Sequence, residues 1–260
     1  MKADARRDAI LDALRTDGRV RTRSLVELLA VSEMTVRRDL DVLAAHGLLV
    51  KVHGGAAAAP RPTGAGLALG VRSHLRRAEK AAIARAALPL LAPGQTVGLT
   101  DGSTTTELAR LLRERLAPGT LTVVTSSVAV AATLDDPRSV VLTGGRRDGS
   151  DALVGPLALD AVRTLNLDLA LVGADGVEVR AGVTAVSREG AEVLAAFADM
   201  AARLVVLADH SKVGVVAPYP VLPLERVDVL VTGAECPLPD RTALQAAGPE
   251  VLVARPESSE

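Results

Sequence analysis

The densest grouping of chemically useful side chains is Ser32, Met34, Thr35, Arg37 and Arg38. Ser32 carries the hydroxyl of a good helix N-cap, able to accept a bond from a backbone N–H that a first turn leaves unpaired. Val31 before it and Val36 after it stand at the spacing of a hydrophobic staple. A helix begun there puts Val36, Leu40 and Leu43 on one face and Met34, Arg38 and Asp41 on the other, with Arg37 flanking. Hydroxyls and guanidinium forks at the head of such a helix can meet base edges and phosphates in a major groove. A three-helix unit for protein contacts, with both arginines merely solvated, is the plainer alternative. Asp39 is expected to orient a neighbouring arginine, because a carboxylate beside phosphates is repelled.

A second set of polar residues recurs in loops that follow short β-rich runs. Run 97–99 leads to Thr100, Asp101, Gly102, Ser103, Thr104 and Thr105, and run 121–124 to Thr125, Ser126 and Ser127. Run 140–142 leads to Thr143, Gly144, Gly145 and Arg146, and run 169–172 to Gly173, Ala174, Asp175 and Gly176. Run 204–208 leads to Asp209, His210, Ser211 and Lys212. Gly102 permits close backbone approach, and the N–H groups and hydroxyls after it form an anion site at a helix N-terminus. Lys212 suits a phosphate; Asp175 and Asp209 suit sugar hydroxyls or the Lys212 ammonium. One such loop is ordinarily just a turn. Five of them on one sheet edge point to a phosphorylated sugar or polyol.

Two scaffolds must position these groups. Segments 4–16, 23–29 and 33–46 have helical periodicity, stopped by Gly18 and Gly47, and 48–52 reads as a strand. From His53 to Gly66 the Gly, Ala and Pro content reads as a linker. A helix over 73–91 then precedes the strands, with helices at 105–116, 156–164 and 189–202 and a last run at 227–231. Such alternation predicts a doubly wound, mostly parallel α/β sheet. The expected divisions are a DNA-reading domain at 1–57, a linker at 58–72, a sensor domain at 73–235 and a tail at 236–260, poorly ordered beyond about 245.

Composition narrows the partners. Phe197 and Tyr219 are the only aromatic residues, too few for the stacking platforms of single-stranded nucleic acid. Residues 1–80 hold 15 Lys and Arg against 9 Asp and Glu, whereas the remainder holds 15 against 22. A basic front beside an acidic rear fits a front that faces duplex phosphates. Cys236 stands alone, which rules out an intramolecular disulfide and a Cys-rich zinc site. With no signal-peptide pattern and no membrane-length apolar run, a soluble cytoplasmic protein is expected. No cofactor or metal is called for.

The chain resembles the DeoR family of repressors, from Arg6, Ile10 and Leu14 through Ser32, Thr35, Val36, Arg37, Arg38, Asp39 and Leu40 to His53, Gly54, Gly55 and Ala56. The resemblance implies a winged helix-turn-helix in which 48–52, with Lys51 and His53, forms the wing. His46 and His53 are then capping or phosphate-contacting groups rather than metal ligands. It also implies an effector domain over about 75–235, opening at Glu79, Lys80, Ile83 and Ala84 and similar to ribose-5-phosphate isomerase. There the positions of Gly102, Ser103 and Thr104 bind phosphate and that of Lys212 lies in the substrate site. The family's acid falls one residue later here, at Asp101; Ser126 replaces a common Asn; His210 replaces a small hydroxyl residue.

Isomerisation needs an aspartate pair, a lysine and a glutamate base. By alignment with the isomerase relatives Asp175 and Glu189 remain, but Val172 and Arg180 stand where the second aspartate and the lysine belong. The expected protein is therefore no enzyme. It is a transcription regulator, acting as a homo-oligomer (dimer or tetramer), whose hold on a double-stranded DNA operator responds to the bound sugar or polyol phosphate. An isomerase with an accessory DNA-binding head and a purely oligomeric scaffold are the rivals.

Overall fold

The computed structural model describes residues 3–45, 48–58, 73, 75–115, 117, 119–136 and 139–255. His46, Gly47 and the linker interval 59–72 lie outside them. The chain divides into two compact units, Met1–Arg77 and Ala78–Glu260.

In the first unit α1 (Ala3–Asp17), α2 (Thr22–Leu29) and α3 (Glu33–Ala45) are joined by a three-stranded antiparallel sheet of β1 (Arg19–Arg21), β2 (Leu49–Val52) and β3 (Gly55–Ala58), ordered β1-β3-β2. Gly18, at φ +69°, ends α1 by donating its N–H to the Leu14 carbonyl at 2.9 Å. Ile10, Leu14, Leu25, Leu29, Val36, Leu40 and Leu43 fill the core between the helices, with Val20, Leu49 and Ala56 from the strands. The expected face of α3 is thus the buried one, and Val31 packs against the same core.

The linker expected from His53 onward starts too early. Gly55–Ala58 is the central strand of the sheet, although Gly and Ala are poor strand formers. A Cβ on Gly55 would lie 2.0 Å from the Val20 carbonyl oxygen, so only glycine lets β3 approach β1 this closely.

The second unit is built on a seven-stranded parallel sheet ordered β15-β14-β12-β9-β4-β5-β6. Its strands are β4 (Thr96–Leu99), β5 (Thr122–Thr125), β6 (Val140–Leu142), β9 (Leu169–Gly173), β12 (Leu204–Leu207), β14 (Val229–Gly233) and β15 (Glu250–Ala254). Alternate residues serve opposite faces: Leu169 and Leu171 of β9 join one core, Ala170 and Val172 the other. The first core meets α4 (Arg77–Ala87), α5 (Ser103–Arg115) and α6 (Val128–Leu134). The second meets α7 (Pro156–Arg163), α8 (Arg188–Met200) and α9 (Leu238–Ala246). Phe197 of α8 lies against Gly98 of β4, where a Cβ would come within 2.7 Å of its ring.

Two smaller sheets were not foreseen: the hairpin of β7 (Arg146–Arg147) with β8 (Leu153–Val154), and the antiparallel trio of β10 (Gly176–Glu178), β11 (Gly182–Ala185) and β13 (Tyr219–Leu222). The expected tail is also corrected. Residues 250–254 pair in parallel with β14 and α9 packs Leu244 into the core, so the second unit continues well past residue 235. The chain leaves β4 towards β5 and β6, then returns to β9 on β4's other side. That reversal makes the carboxyl ends of β4 and β9 the topological switch point, the place where open parallel sheets bind ligands. No described helix is long and apolar enough to cross a membrane.

Candidate functional site

In the first unit the Ser32 Oγ accepts the Thr35 N–H at 3.3 Å and lies 2.9 Å from the Thr35 Oγ1, fixing the start of α3. Met34 is 75% exposed, and Arg37 and Arg38 are exposed beside it while Val36 and Leu40 point inward. Arg37 donates to Glu33 Oε1 at 2.6 Å, a solvent-exposed pair that is weak and open to exchange for phosphate. Lys51 of β2 pairs with Asp41 of α3 on the solvent side. His53 and Gly54 form the turn between β2 and β3, with Gly54 at φ +72°. All seven front residues singled out by sequence therefore lie on α3, its cap or the β2–β3 hairpin. Asp39 does orient arginines, those of α1: it accepts Arg6 Nε at 2.8 Å and Arg7 Nε at 3.2 Å.

Sequence reasoning missed Arg19 and Arg21. Both are exposed on β1 on either side of Val20, and among the described residues neither has an ion-pair partner. The alternation of Arg19, Val20 and Arg21 was the available signal: period two, with one apolar residue inward.

In the second unit the loop residues gather at the carboxyl edge of five adjacent strands, β6, β5, β4, β9 and β12. Four spacings of about 4.8 Å make that edge roughly 19 Å long. After β4, Gly102 sits at φ +144° and its carbonyl accepts the Thr106 N–H at 3.0 Å and the hydroxyls of Thr105 and Thr106 at 2.9 and 2.7 Å. Thr105 thus braces the turn. Ser103 and Thr104 open α5, where the backbone N–H groups have no partner within the helix. Asp101 Oδ2 accepts the Ser150 hydroxyl at 3.2 Å, and Asp148 Oδ1 holds that hydroxyl at 2.7 Å, so the β7–β8 turn reaches the β4 loop. Asp148 and Ser150 were not anticipated.

Ser126 and Ser127 follow β5 but behave differently. Ser127 Oγ caps α6 by accepting the Val130 N–H at 3.2 Å. Ser126 is 1% exposed, its carbonyl accepts the Leu153 N–H at 2.7 Å, and its buried Oγ has no hydrogen-bond partner. Gly145 at φ +116° lies so near β8 that a Cβ would come within 2.7 Å of the Val154 carbonyl oxygen. At the switch point the Thr100 hydroxyl accepts the Gly173 N–H at 3.1 Å, and Asp175 Oδ2 accepts the Val186 N–H at 3.0 Å.

Lys212 ends a short 3-10 turn (His210–Lys212) after β12. It is half-buried, and its side chain has no ion-pair partner among the described residues. Asp209, expected to suit sugar hydroxyls or the Lys212 ammonium, accepts the Ser211 N–H at 3.0 Å and turns its other oxygen to Lys80 Nζ at 3.9 Å. His210 binds Glu79 twice, through its backbone N–H and its Nδ1, each at 2.8 Å. Glu235 brings a carboxylate into the same neighbourhood, within 4.8 Å of Glu79 and His210 donor atoms. The two bonds from His210 to Glu79 latch α4 to the turn after β12. Glu189 pairs with Arg146 at the surface.

A model of the DeoR-like helix-turn-helix domain matches residues 6–61, and a model of the DeoR C-terminal sensor domain matches residues 75–234. The chain is 34% identical to the HTH-type transcriptional regulator GlpR of Haloferax volcanii, over 91% of this chain and 92% of that one. It is 29% identical to the glycerol-3-phosphate regulon repressor of Escherichia coli (strain K12), over 92% and 94% of the two chains. Among solved structures, ribose 5-phosphate isomerase A of Methanocaldococcus jannaschii aligns with 51% of this chain and 52% of its own, at 27% identity and a TM-score of 0.38.

Proposed function

The chain belongs to the DeoR family of transcriptional regulators, and from that premise we propose that it is a repressor whose hold on its operator is set by a phosphorylated sugar or polyol at the carboxyl edge of the second unit's sheet. The family is one of DNA-binding regulators, not of enzymes. Operator contact falls to α3 and the β2–β3 hairpin: Met34, Thr35, Arg37 and Arg38 from the helix, Lys51 and His53 from the wing, with Ser32 setting the helix start. An exposed thioether and two guanidiniums at the first turns of α3 match apolar contact with a thymine methyl and forked contact with guanine or phosphate.

The observation that carries the effector reading is the Ser126 hydroxyl. A buried, unpartnered Oγ has given up water for nothing in the protein, a cost of about 1–3 kcal/mol that a ligand oxygen placed there would relieve. Other groups along the same sheet edge suit the rest of the molecule: the α5 N-terminus at Gly102, Ser103 and Thr104 and the Lys212 ammonium for phosphate, Asp101 and Asp175 for hydroxyls. The E. coli relative is by name a repressor of a glycerol-3-phosphate regulon, which supports the same ligand class. Two-fold operator recognition further requires a homo-oligomer, a dimer or tetramer, with paired DNA heads.

The test is fluorescence anisotropy with duplex from the region upstream of the chain's own gene, titrated with glycerol 3-phosphate, ribose 5-phosphate and their unphosphorylated counterparts. Salt-dependent duplex binding, altered about fivefold or more by a phosphorylated compound and by none of the others, is the expected result. Duplex binding that ignores every phosphorylated compound would remove the effector reading. Failure to bind duplex at low ionic strength would remove the operator as well.

A further inference from the structure

We infer that the face formed by α8 and β13 is where two copies of this chain meet about a two-fold axis. The inference rests on the homo-oligomer reading above and deepens it by naming the surface. Between α8 and β13 lies an open groove of about 400 Å³, lined by Arg188, Ala191, Glu192 and Ala195 of the helix and by Tyr219 and Pro220 of the strand. Ala191 and Ala195 stand one helical turn apart, and their short side chains leave the helix open to close approach. Tyr219 is 39% exposed, whereas Phe197, the only other aromatic residue, is fully buried. Val215 and Val216, in the segment leading into β13, are 37% and 54% exposed. Three large apolar side chains within five residues are thus left to water, a concentration that marks an interface, where tyrosine is enriched. Pro220 has no N–H to offer, which makes β13 a poor template for an added strand. A partner therefore meets this groove with side chains.

The charges on the rim say which partner. Arg188 and Glu192 carry opposite signs four residues apart on α8 and pair with each other at 3.0 Å, with side chains 78% and 44% exposed. A basic residue placed N-terminal to an acidic one is the weaker order for a pair within one helix, so both groups are open to exchange. A rim of one sign would repel its own copy and call for a different protein. This rim is its own complement. With α8 of a second copy laid antiparallel across a two-fold axis near Gly190, each Arg188 faces the partner's Glu192 and each Glu192 the partner's Arg188. Ala191, next to that axis, leaves room for the approach, while Tyr219, Val215 and Val216 supply apolar area at its flank. The groove's six lining residues are fewer than the roughly 20–30 a side of a stable interface, so the contact includes the segment before β13.

The experiment is fluorescence-detected sedimentation of the labelled full chain over a wide range of dilutions. It compares wild type with Arg188→Glu, Glu192→Arg, Tyr219→Ala and an equimolar mixture of the first two. Both charged positions are exposed, so these changes leave the fold intact, which far-UV circular dichroism checks. Wild type should self-associate. Arg188→Glu and Glu192→Arg each give the rim a single sign and should raise the dissociation constant at least about tenfold, and Tyr219→Ala should raise it about as much. The mixture should associate again, because each variant's rim then meets the opposite sign, and a tag on one variant should retain the other. Charge variants that associate as wild type does, or a mixture that associates no better than its components, overturn the inference. Wild type that stays monomeric at every concentration overturns the homo-oligomer reading itself, and this surface with it.

Discussion

The Asp39 carboxylate of α3 accepts the Arg6 Nε proton of α1 at 2.8 Å, tying two helices together from inside the run proposed to face DNA. Asp39 is 2% exposed and its second oxygen takes Arg7 Nε at 3.2 Å. The acid within the Arg37, Arg38, Asp39 run thus points into the unit while its neighbours point out. Asp39→Ala should destabilise the first unit by about 1.5–3 kcal/mol, the scale for hydrogen bonds to charged groups. Urea unfolding of the full chain, followed by a signal from the first unit, reads this directly. An operator affinity that fell with no change in stability would mean that Asp39 touches DNA after all.

How much of this was legible in the sequence depends on how far apart the partners lie. Val36, Leu40 and Leu43 announced the buried face of α3, because a helical period repeats within a few residues. The runs of Val and Leu announced six of the seven parallel strands in the same way. Gly55–Ala58 did not announce itself: its composition is that of a linker, and only the closeness of Val20 explains why glycine is needed in a strand. Glu250–Ala254 was discounted because it lies near the end of the chain, although its pairing with β14 supplies all the ordering it needs. The loop residues were recognised by type, but their roles were not. Nothing local indicates that Asp209 turns to Lys80, or that His210 binds Glu79 from 131 positions away.

Base reading and phosphate contact separate experimentally on α3 and β1. Arg38 sits on the exposed face of α3, which in the proposed operator complex would bring its guanidinium fork to base edges. Arg38→Ala should weaken operator binding by about 1–3 kcal/mol and relax preference at one base pair. Arg19 and Arg21 project from the strand beside the wing, which suits the backbone of the duplex. Arg19→Ala and Arg21→Ala should each weaken binding to all duplexes alike and lower the salt slope by about 1. Anisotropy titrations at several salt concentrations, on operator and scrambled duplex, distinguish the two behaviours. A sequence-selective loss from Arg19→Ala would move it into the base-reading set.

Cys236 makes a pH prediction with a definite sign. Burial pushes its thiol up from the ordinary 9.0, opposed by the Thr232 hydroxyl and the Arg241 guanidinium and reinforced by the Asp240 and Glu79 carboxylates. The folded chain therefore holds this proton to higher pH than the unfolded chain does. The stabilisation is complete below 9.0 and is lost as pH rises through the folded value. Denaturation midpoints should decline above about pH 9, and Cys236→Ala should flatten that decline. The native thiol should also react slowly with iodoacetamide near neutral pH, and quickly once denatured. Rapid alkylation of the native chain would show that the thiol is open to solvent.

Ser126→Ala separates a structural hydroxyl from one kept for a ligand. In most buried positions, deleting a serine hydroxyl strands its former partner and lowers stability. Here the Oγ has no partner to strand, while Ser126's structural bond runs through its backbone carbonyl to the Leu153 N–H and survives the change. Thermal unfolding without ligand should therefore be unchanged or shifted slightly upward. Ser127→Ala, one residue on, removes the cap on α6 and should lower stability by about 1 kcal/mol. Effector binding should show the opposite ranking. Ser126→Ala should lose about 1 kcal/mol or more of affinity for the phosphorylated compound that shifts operator binding, and Ser127→Ala much less. Equal affinity in Ser126→Ala and wild type, at equal stability, would leave the buried hydroxyl without a function and remove the chief support for an effector at this edge.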